Sequence, residues 1–294
     1  MYKRQIINWG DSHVTAATLG PGAGTGTVAG SHVYATGGLF TITVTLTDDD
    51  GAAVTSTTTA VVTGVGVVGD TLYVIGTDAD DHVTINKAGS VYRVHADFLT
   101  TGSFRDVPVA GISRIVVQAC DGNDQVTISG GVSLPALIDG GEGDDRLNGG
   151  SGPNIIVGGG GDDQINGGNA RDLLIGGRGS DRLVGNGNED ILTAGWTDHD
   201  AFDSSTHSAA LWQLMDEWNS SASQDVRRSH LTGATGGGLN GSVLLNTATV
   251  HDDNSQDKLT GSSGIDWFFA SLSGGTFLDV ITNQGSNELL EELL

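Results

Sequence analysis

Aspartate, or once asparagine, recurs at every ninth residue between positions 140 and 193. Six nonapeptides run there without a gap: GGEGDDRLN, GGSGPNIIV, GGGGDDQIN, GGNARDLLI, GGRGSDRLV and GNGNEDILT. Their sixth positions hold Asp145, Asn154, Asp163, Asp172, Asp181 and Asp190. Carboxylate and carboxamide oxygens are ligands of hard divalent cations. The spacing therefore predicts cation sites, because stacked carboxylates repel one another unless a cation lies between them.

The same repeats indicate the elements that must position these side chains. The eighth position is always Leu or Ile: Leu147, Ile156, Ile165, Leu174, Leu183 and Leu192. A short strand after each glycine-rich turn would bury this side chain against its equivalents in neighbouring coils, and glycine tolerates the positive φ of such turns. If two nonapeptides form one coil, the sixth positions make two columns. The first column contains Asp145, Asp163 and Asp181, and the second contains Asn154, Asp172 and Asp190.

This pattern resembles the G-G-x-G-x-D-x-U-x repeat of the repeats-in-toxin (RTX) proteins. The resemblance implies a right-handed parallel β-roll that binds several Ca²⁺ ions at its turns and folds when calcium binds, in a secreted or surface protein. Asn154 lacks a carboxylate charge, so the site that it would share with Asp172 is expected to be the weakest. Ala170 and Asn188 replace a turn glycine, with strain expected at Ala170. The alternative is a glycine-rich repeat that binds no ion.

Weaker matches to the repeat lie on both sides of the array. Upstream, ACDGNDQVT (119–127) and GTDADDHVT (76–84) place Asp124 and Asp81 at the sixth position. Downstream, three segments place Asp257, Asp266 and Asp279 there, with Leu259, Phe268 and Ile281 at the eighth position. Asp124, Asp257, Asp266 and Asp279 are therefore also predicted cation ligands. Trp267 and Phe268 are expected in a capping coil that closes the core.

The N-terminal segment has a different pattern. INWGDS (7–12) and SHVYATGGLFTITVTLTDDDGA (31–52) resemble the second half of a polycystic-kidney-disease-type (PKD) domain, an immunoglobulin-like β-sandwich. The resemblance is carried by Trp9, Gly10, Asp11, His32, Tyr34 and Gly38, and it makes Trp9 and His32 structural residues. The strands that would precede Trp9 are missing, so the sandwich is incomplete, borrows a strand or belongs to a truncated reading frame.

These patterns together predict an all-β chain with four regions. They are a partial PKD-like sandwich over 1–65, irregular β-helix-like coils over 66–139, the calcium-binding β-roll over 140–195, and a helical excursion with a C-terminal cap over 196–294. A separate small sandwich is the alternative for the second region. SAALWQLMDEWN (208–219) has apolar residues at helical spacing and predicts a helix that packs as a lid. SNELLEELL (286–294) predicts a short helix that packs locally or acts as an export signal.

Composition restricts the function. A formal net charge of −23 disfavours nucleic acid and anionic membranes as partners. One cysteine, Cys120, excludes an internal disulfide and a cysteine zinc cluster. No apolar run is long enough for a signal peptide or a membrane span, so secretion would use another signal unless the N-terminus is incomplete.

Catalytic motifs such as G-x-S-x-G, H-E-x-x-H and a Walker loop are absent from the sequence. The remaining candidates for acid–base chemistry are histidines near acids: His199, His207, His230 and His251, with Asp198. A histidine with a carboxylate partner can act as a general base, and a neighbouring calcium ion can polarise a carbonyl group. Solvated surface residues or helix caps are the alternative for all five.

We therefore expect an extracellular or cell-surface calcium-binding β-roll protein with a structural or adhesive role. One alternative is a calcium-dependent hydrolase of a small ester or lactone. The other is a surface module that binds a carbohydrate or a protein, so a cell-surface or carbohydrate partner is the partner expected besides calcium.

Overall fold

The structure is a computed structural model that describes residues 4–19, 27–200, 205–274, 276–283 and 287–293. The chain forms two compact units, residues 1–75 and 76–294. Both units consist mostly of β-strands, and the second also contains two helices.

The first unit contains one four-stranded antiparallel sheet. The strands of this unit are β1 (Arg4–Asn8), β2 (Val14–Ala16), β3 (Thr18–Leu19), β4 (Val28–Ala29), β5 (Gly38–Thr47), β6 (Ala53–Val62), β7 (Gly64–Val68) and β8 (Thr71–Ile75). The sheet has the order β2-β1-β5-β6, and β3 pairs with β4 and β7 with β8. The predicted strand TITVTLT lies in β5, and Ile7, Trp9 and Phe40 are buried. A PKD-type sandwich remains a prediction.

The second unit contains the repeats. Its elements are β9 (His82–Ala88), β10 (Val91–Ala96), β11 (Phe104–Pro108), β12 (Arg114–Gln118), β13 (Gln125–Ile128), β14 (Ala136–Glu142), β15 (Arg146–Asn148), β16 (Asn154–Gly160), β17 (Gln164–Gly168), β18 (Leu173–Arg178), β19 (Arg182–Gly187), β20 (Ile191–Thr193), β21 (Trp196–Thr197), α1 (Ser205–Trp218), α2 (Gln224–Leu231), β22 (Val250–His251), β23 (Lys258–Ser263), β24 (Trp267–Ala270), β25 (Val280–Thr282) and β26 (Leu289–Glu292).

Successive strands of the repeat array alternate between two sheets. One sheet has the order β11-β10-β9-β13-β15-β17-β19-β23-β25, and the other joins β12-β14-β16-β18-β20-β24-β26. In the sheet that contains β9, every pair of neighbouring strands from β9–β13 to β23–β25 is parallel. In the sheet that contains β12, all the pairs from β12–β14 to β24–β26 are parallel. These parallel sheets are consistent with the predicted β-roll.

The eighth-position side chains form the core between the turns. Leu147 pairs with Ile165, and Ile165 with Leu183, in one sheet, and all three are buried. Ile156 and Leu174 are equivalent neighbours in the other sheet. The predicted stacking is confirmed, because a period of 18 residues returns each apolar side chain to the same face of the same sheet.

Glycine is required at the fourth position of alternate turns. Gly161 has φ +122°, and a Cβ there would lie 2.4 Å from the carbonyl oxygen of Gly143 in the preceding coil. Asn188, which replaces this glycine, also has positive φ, at 72°. Ala170 does not have a positive φ. The prediction of strain at Ala170 was therefore wrong, because its turn closes with an ordinary negative φ.

The helical excursion leaves the array and returns to it at one place. Trp196 pairs with His251 and Thr197 with Val250 in a two-stranded antiparallel ladder, β21–β22. The predicted helix is present as α1, and its Leu211 side chain is buried. Helix α2 was not predicted. No helix in the described part of the chain is long and apolar enough to cross a membrane.

The predicted C-terminal helix is wrong. Residues Leu289–Glu292 form β26, which adds to β24 as a parallel strand with Trp267 opposite Leu289. So short a segment is unstable as an isolated helix, whereas the edge of β24 offers it a hydrogen-bonded ladder. The last coil therefore consists of β25 and β26, and Trp267 and Phe268 lie one coil inside it.

Replacing Leu183 with alanine should destabilise the second unit by about 2–5 kcal/mol, because the change leaves a cavity between two stacked leucine and isoleucine layers. Urea unfolding in excess Ca²⁺ measures this. The matched control is Val226→Ala on α2, where the side chain is 43% exposed and little change is expected. Equal unfolding midpoints for both variants would contradict the stacked core.

Candidate metal sites

The sixth-position carboxylates of the first column connect one coil to the next. The backbone N–H of Asp145 donates to Oδ1 of Asp163, and that of Asp163 donates to Oδ1 of Asp181, both at 2.8 Å and both across 18 residues. Upstream, Asp124 donates in the same way to Asp145 at 2.7 Å, and Asp81 donates to Asp124 at 2.6 Å. The two degenerate upstream repeats therefore belong to the same column.

The first column also continues beyond the helical excursion. The N–H of Asp181 donates to Oδ1 of Asp257 at 2.7 Å across 76 residues, and the N–H of Asp257 donates to Oδ1 of Asp279 at 2.9 Å. The register predicted for the downstream segments is thus present in the structure.

The second column has the same bonding. Asn154 donates its N–H to Oδ1 of Asp172 at 2.6 Å, and Asp172 donates to Asp190 at 2.9 Å. Asp190 in turn donates to Oδ1 of Asp266 at 2.9 Å. One oxygen of each of these aspartates is therefore used to space the coils.

The other carboxylate oxygen, Oδ2, is different. Among the described residues, eight sixth-position aspartates have a buried Oδ2 that accepts no hydrogen bond. They are Asp124, Asp145, Asp163, Asp172, Asp181, Asp190, Asp257 and Asp266. A buried carboxylate oxygen without a donor is strongly unfavourable unless a cation or a proton compensates its charge. All eight were predicted as cation ligands from the spacing.

The first-position glycine makes room for this oxygen. A Cβ on Gly140 would lie 2.2 Å from Oδ2 of Asp145 and 2.4 Å from the carbonyl oxygen of Gly158. At Gly158 the corresponding distances are 2.2 Å to Asp163 and 2.4 Å to the carbonyl oxygen of Gly176. A carboxylate oxygen of one coil and a carbonyl oxygen of the next therefore converge at the glycine. Such an all-oxygen donor set fits calcium.

Burial disfavours the ionised form of these carboxylates. It raises the pKa of Asp124 and Asp266 to about 6, of Asp145 and Asp181 to about 7, of Asp163 and Asp172 to about 8, and of Asp190 to about 10. It also raises the pKa of Asp257 and Asp279. Without a compensating positive charge, Asp163, Asp172 and Asp190 would hold a proton at neutral pH, and Asp145 and Asp181 would be partly protonated.

The side-chain amide of Asn154 donates hydrogen bonds to the oxygens that would otherwise face a cation. Its Nδ2 donates to the carbonyl oxygens of Gly152 and Gly167 at 2.7 and 3.0 Å and to Oδ1 of Asp172 at 2.9 Å. The carbonyl oxygens at this turn and Oδ1 of Asp172 thus already have a donor, which gives a physical reason for the weak site predicted there.

The two ends of the first column are closed by protein donors. Oδ2 of Asp81 accepts the N–H of Thr77 at 2.6 Å, and Oδ2 of Asp279 accepts the N–H of Ser271 at 2.7 Å. Asp279, a predicted ligand, therefore has both oxygens in hydrogen bonds and has less capacity for a cation than the five aspartates between the ends of this column.

Sequence reasoning missed a second ladder at the fifth position. There the N–H of each residue donates to the side chain one coil earlier, at 2.8–2.9 Å, from Asn123 to Asp80, Asp144 to Asn123, Asp162 to Asp144, and Ser180 to Asp162. The signal was available, since Asp and Asn recur at this position every second repeat.

An arginine pair on the second column was also missed. Oε2 of Glu189, at the fifth position, accepts Nε of Arg171 at 2.8 Å and also bonds Nη2 of Arg227. Arg227 is 1% exposed and its guanidinium lies over the Trp218 ring, 4.6 Å from the centroid. No repeat signal predicts this contact, because Arg227 and Trp218 come from the excursion.

The predicted catalytic histidines have separate partners. His251 Nε2 lies 2.7 Å from Asp198 Oδ1, and His230 Nδ1 lies 2.7 Å from Glu217 Oε1. His199 Nε2 lies 2.8 Å from the carbonyl oxygen of Leu244. The side chain of His207 lies outside the described residues. The structure thus pairs only His251 with Asp198 among these candidates where they are described.

Asp198 lines a cleft of about 530 Å³ that also contains Asp139, Asp200 and Cys120. Burial, together with neighbouring carboxylates, raises the pKa of Cys120 to about 11. At neutral pH Cys120 is a thiol and a poor nucleophile. The cleft therefore offers a histidine–aspartate pair at its edge without an activated thiolate.

The model of the RTX calcium-binding nonapeptide repeat matches residues 139–174 and 167–198, in four copies. RTX nonapeptide repeats bind Ca²⁺ ions in multiple sites. No curated protein and no solved structure matches the chain. The match covers the regular array in which both columns were predicted.

Replacing Asn154 with aspartate should add a calcium site. The change removes the internal amide donor and leaves carbonyl oxygens with a second carboxylate, so we expect a lower melting temperature in chelator and one more bound Ca²⁺ per chain. Calcium titration by calorimetry measures the stoichiometry. The control is Asn86→Asp on β9, where the side chain is half-buried and away from this turn. An unchanged stoichiometry would contradict the role assigned to the Asn154 amide.

Calcium binding should release protons near neutral pH. These carboxyls have a higher pKa in the folded chain than in the unfolded chain, where it is about 4. Their contribution to stability is therefore complete below about pH 4 and is lost as the pH rises through the pKa of the folded state. For Asp163 and Asp145 this window extends to about 8 and 7. Calcium displaces the bound protons, so the calcium-free chain should become less stable from pH 5 to 8 while calcium affinity rises.

The measurement is proton release on adding Ca²⁺ to weakly buffered protein at about pH 6.5, within this pKa window. We expect more than one proton per chain. Asp216→Asn, which removes an exposed carboxylate on α1, should give the same release. Binding without any release would show that the columns are already ionised.

Proposed function

We propose that this chain is an extracytoplasmic calcium-binding protein with a structural or adhesive role, in which Ca²⁺ completes the fold. The observation that carries the proposal is the row of eight buried Oδ2 atoms that lack a hydrogen-bond donor in the described structure. In the repeats around Gly140 and Gly158 each such oxygen faces a carbonyl oxygen of the next coil.

The residues that would hold calcium are the eight aspartates whose buried Oδ2 has no donor. They are Asp124, Asp145, Asp163, Asp181 and Asp257 in the first column, and Asp172, Asp190 and Asp266 in the second. Bound calcium would supply the positive charge that these buried oxygens lack. The chain itself supplies the spacing, through the Oδ1 hydrogen bonds, and the room, through the first-position glycines.

The location follows from calcium availability. Extracellular calcium modules typically have dissociation constants of about 10⁻⁴–10⁻³ M, and a ligand that binds only the folded state stabilises it by mass action. Weak sites of this kind are filled outside the cell and empty in the cytosol. RTX repeat proteins are typically secreted, which supports the same location for this chain.

The hydrolase alternative predicts that His199, His207, His230 or His251 converges with an acid in one pocket. His251 pairs with Asp198, which lines the cleft, whereas His199 and His230 have other partners. The thiol of Cys120 in this cleft is not activated, because burial raises its pKa to about 11, so we do not favour this alternative. A carbohydrate- or protein-binding surface module has no built site in its favour among the described residues. The structural or adhesive role is therefore the function that we propose.

The test is the calcium dependence of folding. In excess chelator the roll should lose β-type circular dichroism and melt at lower temperature, and Ca²⁺ should restore both. Each independent site contributes about 2.7 kcal/mol at a hundredfold excess over its dissociation constant. Asp163→Asn with Asp181→Asn should bind fewer calcium ions. The charge-matched control is Asp216→Asn with Asp225→Asn, which removes two exposed carboxylates on the helices and should bind the wild-type number.

Equal order and equal melting temperature with and without chelator would overturn the proposal. Full recovery with Mg²⁺ in place of Ca²⁺ would overturn the assignment of the ion.

A further inference from the structure

Three potential metal ligands converge in the first unit, far along the chain from the repeats. Oδ2 of Asp11 lies 2.6 Å from Nε2 of His32 and 3.1 Å from Nδ1 of His13. The three ligand atoms all lie within 4.8 Å of one another. Two imidazole nitrogens thus point at a single carboxylate oxygen.

The hairpin between β1 and β2 brings Asp11 and His13 together. The N–H of Trp9 donates to the carbonyl oxygen of His13 at 3.0 Å, and Ser12 between the two ligands has φ 74°. The N–H of His13 donates to Oδ1 of Asp11 at 3.2 Å. This bond fixes one carboxylate oxygen and leaves Oδ2 directed at the imidazoles.

Aromatic packing fixes His32. Its ring stacks on Trp9 with centroids 5.3 Å apart, and Tyr34 meets it edge-on at 4.7 Å. The Tyr34 hydroxyl donates to the carbonyl oxygen of Trp9 at 2.9 Å. Asp11 and His32 are mostly buried, with side chains 15% and 11% exposed, whereas that of His13 is 69% exposed. Two ligands are therefore preorganised, and the third is free to adjust from solvent.

We propose that Asp11, His13 and His32 form a site for a divalent transition metal of the Zn²⁺ class. Two imidazoles and one carboxylate are a donor set that zinc accepts and that calcium, which prefers oxygen, does not. Bonds of about 2.0–2.1 Å in tetrahedral geometry separate ligand atoms by about 3.3 Å. Small shifts of the carboxylate and of the exposed His13 provide that spacing, and the fourth position is open to water or another ligand.

This site is independent of the proposed calcium columns, which lie in the other unit and contain no histidine. Zn²⁺ binding is therefore measured on the full chain with Ca²⁺ saturating. Calorimetry gives the stoichiometry, and Co²⁺, whose visible absorption reports nitrogen-containing tetrahedral coordination, serves as a second probe of the same site.

We expect one tight Zn²⁺ equivalent per chain. His13→Ala should weaken Zn²⁺ binding at least about tenfold, since losing a ligand lowers metal affinity no less than losing a residue that orients a ligand. Asp11→Asn should weaken it to a similar extent. The exposed His13 makes few packing contacts, so its variant keeps the fold. His82→Ala, which removes an exposed histidine of the second unit, is the matched control and should bind as the wild type does.

Wild-type Zn²⁺ affinity in His13→Ala would overturn the proposal, as would Zn²⁺ binding that excess Ca²⁺ abolishes, since the ion would then lie on the repeat carboxylates. If folding does not depend on Ca²⁺ but His13→Ala still weakens Zn²⁺ binding, the calcium proposal is overturned and the zinc proposal stands.

Discussion

A buried carboxylate oxygen without a hydrogen-bond donor is the constraint on which the second unit depends. Each sixth-position aspartate divides its two oxygens between two tasks. Oδ1 accepts a backbone N–H from the preceding coil and fixes the rise from coil to coil. Oδ2 faces inward beside a glycine and carbonyl oxygens, where only a positive charge satisfies it. Without a cation these carboxyls must either stay ionised side by side in a medium of low dielectric constant, which is costly, or take up protons.

The repeat arithmetic made much of this unit predictable. A period of nine with two repeats per coil placed Asp145, Asp163 and Asp181 in one column, and the structure connects them in that order. The fold class followed from the same period, because only short parallel strands return a side chain to the same face every 18 residues. Even the degenerate repeats around Asp124 and Asp257 kept the register.

The failures have a different origin. The terminal segment at Leu289 has a helical pattern, but an unpaired strand edge at Trp267 decides its conformation, and an edge is invisible in the sequence of the segment itself. The contact of Arg227 with Glu189 joins an irregular excursion to a repeat, so no period encodes it. The cluster of Asp11, His13 and His32 depends on how one hairpin turn meets a distant loop, which spacing alone does not determine.

The excursion also has a consequence for the order in which the molecule can assemble. Coils in the regular array meet neighbours 18 residues away, whereas Asp181 meets Asp257, which lies 76 residues away in the sequence. Closing the longer loop costs only a little more entropy, but the distant partner must first exist. When calcium is supplied, the regular coils can therefore assemble first, while the C-terminal end of this stack stays open until Asp257 joins Asp181.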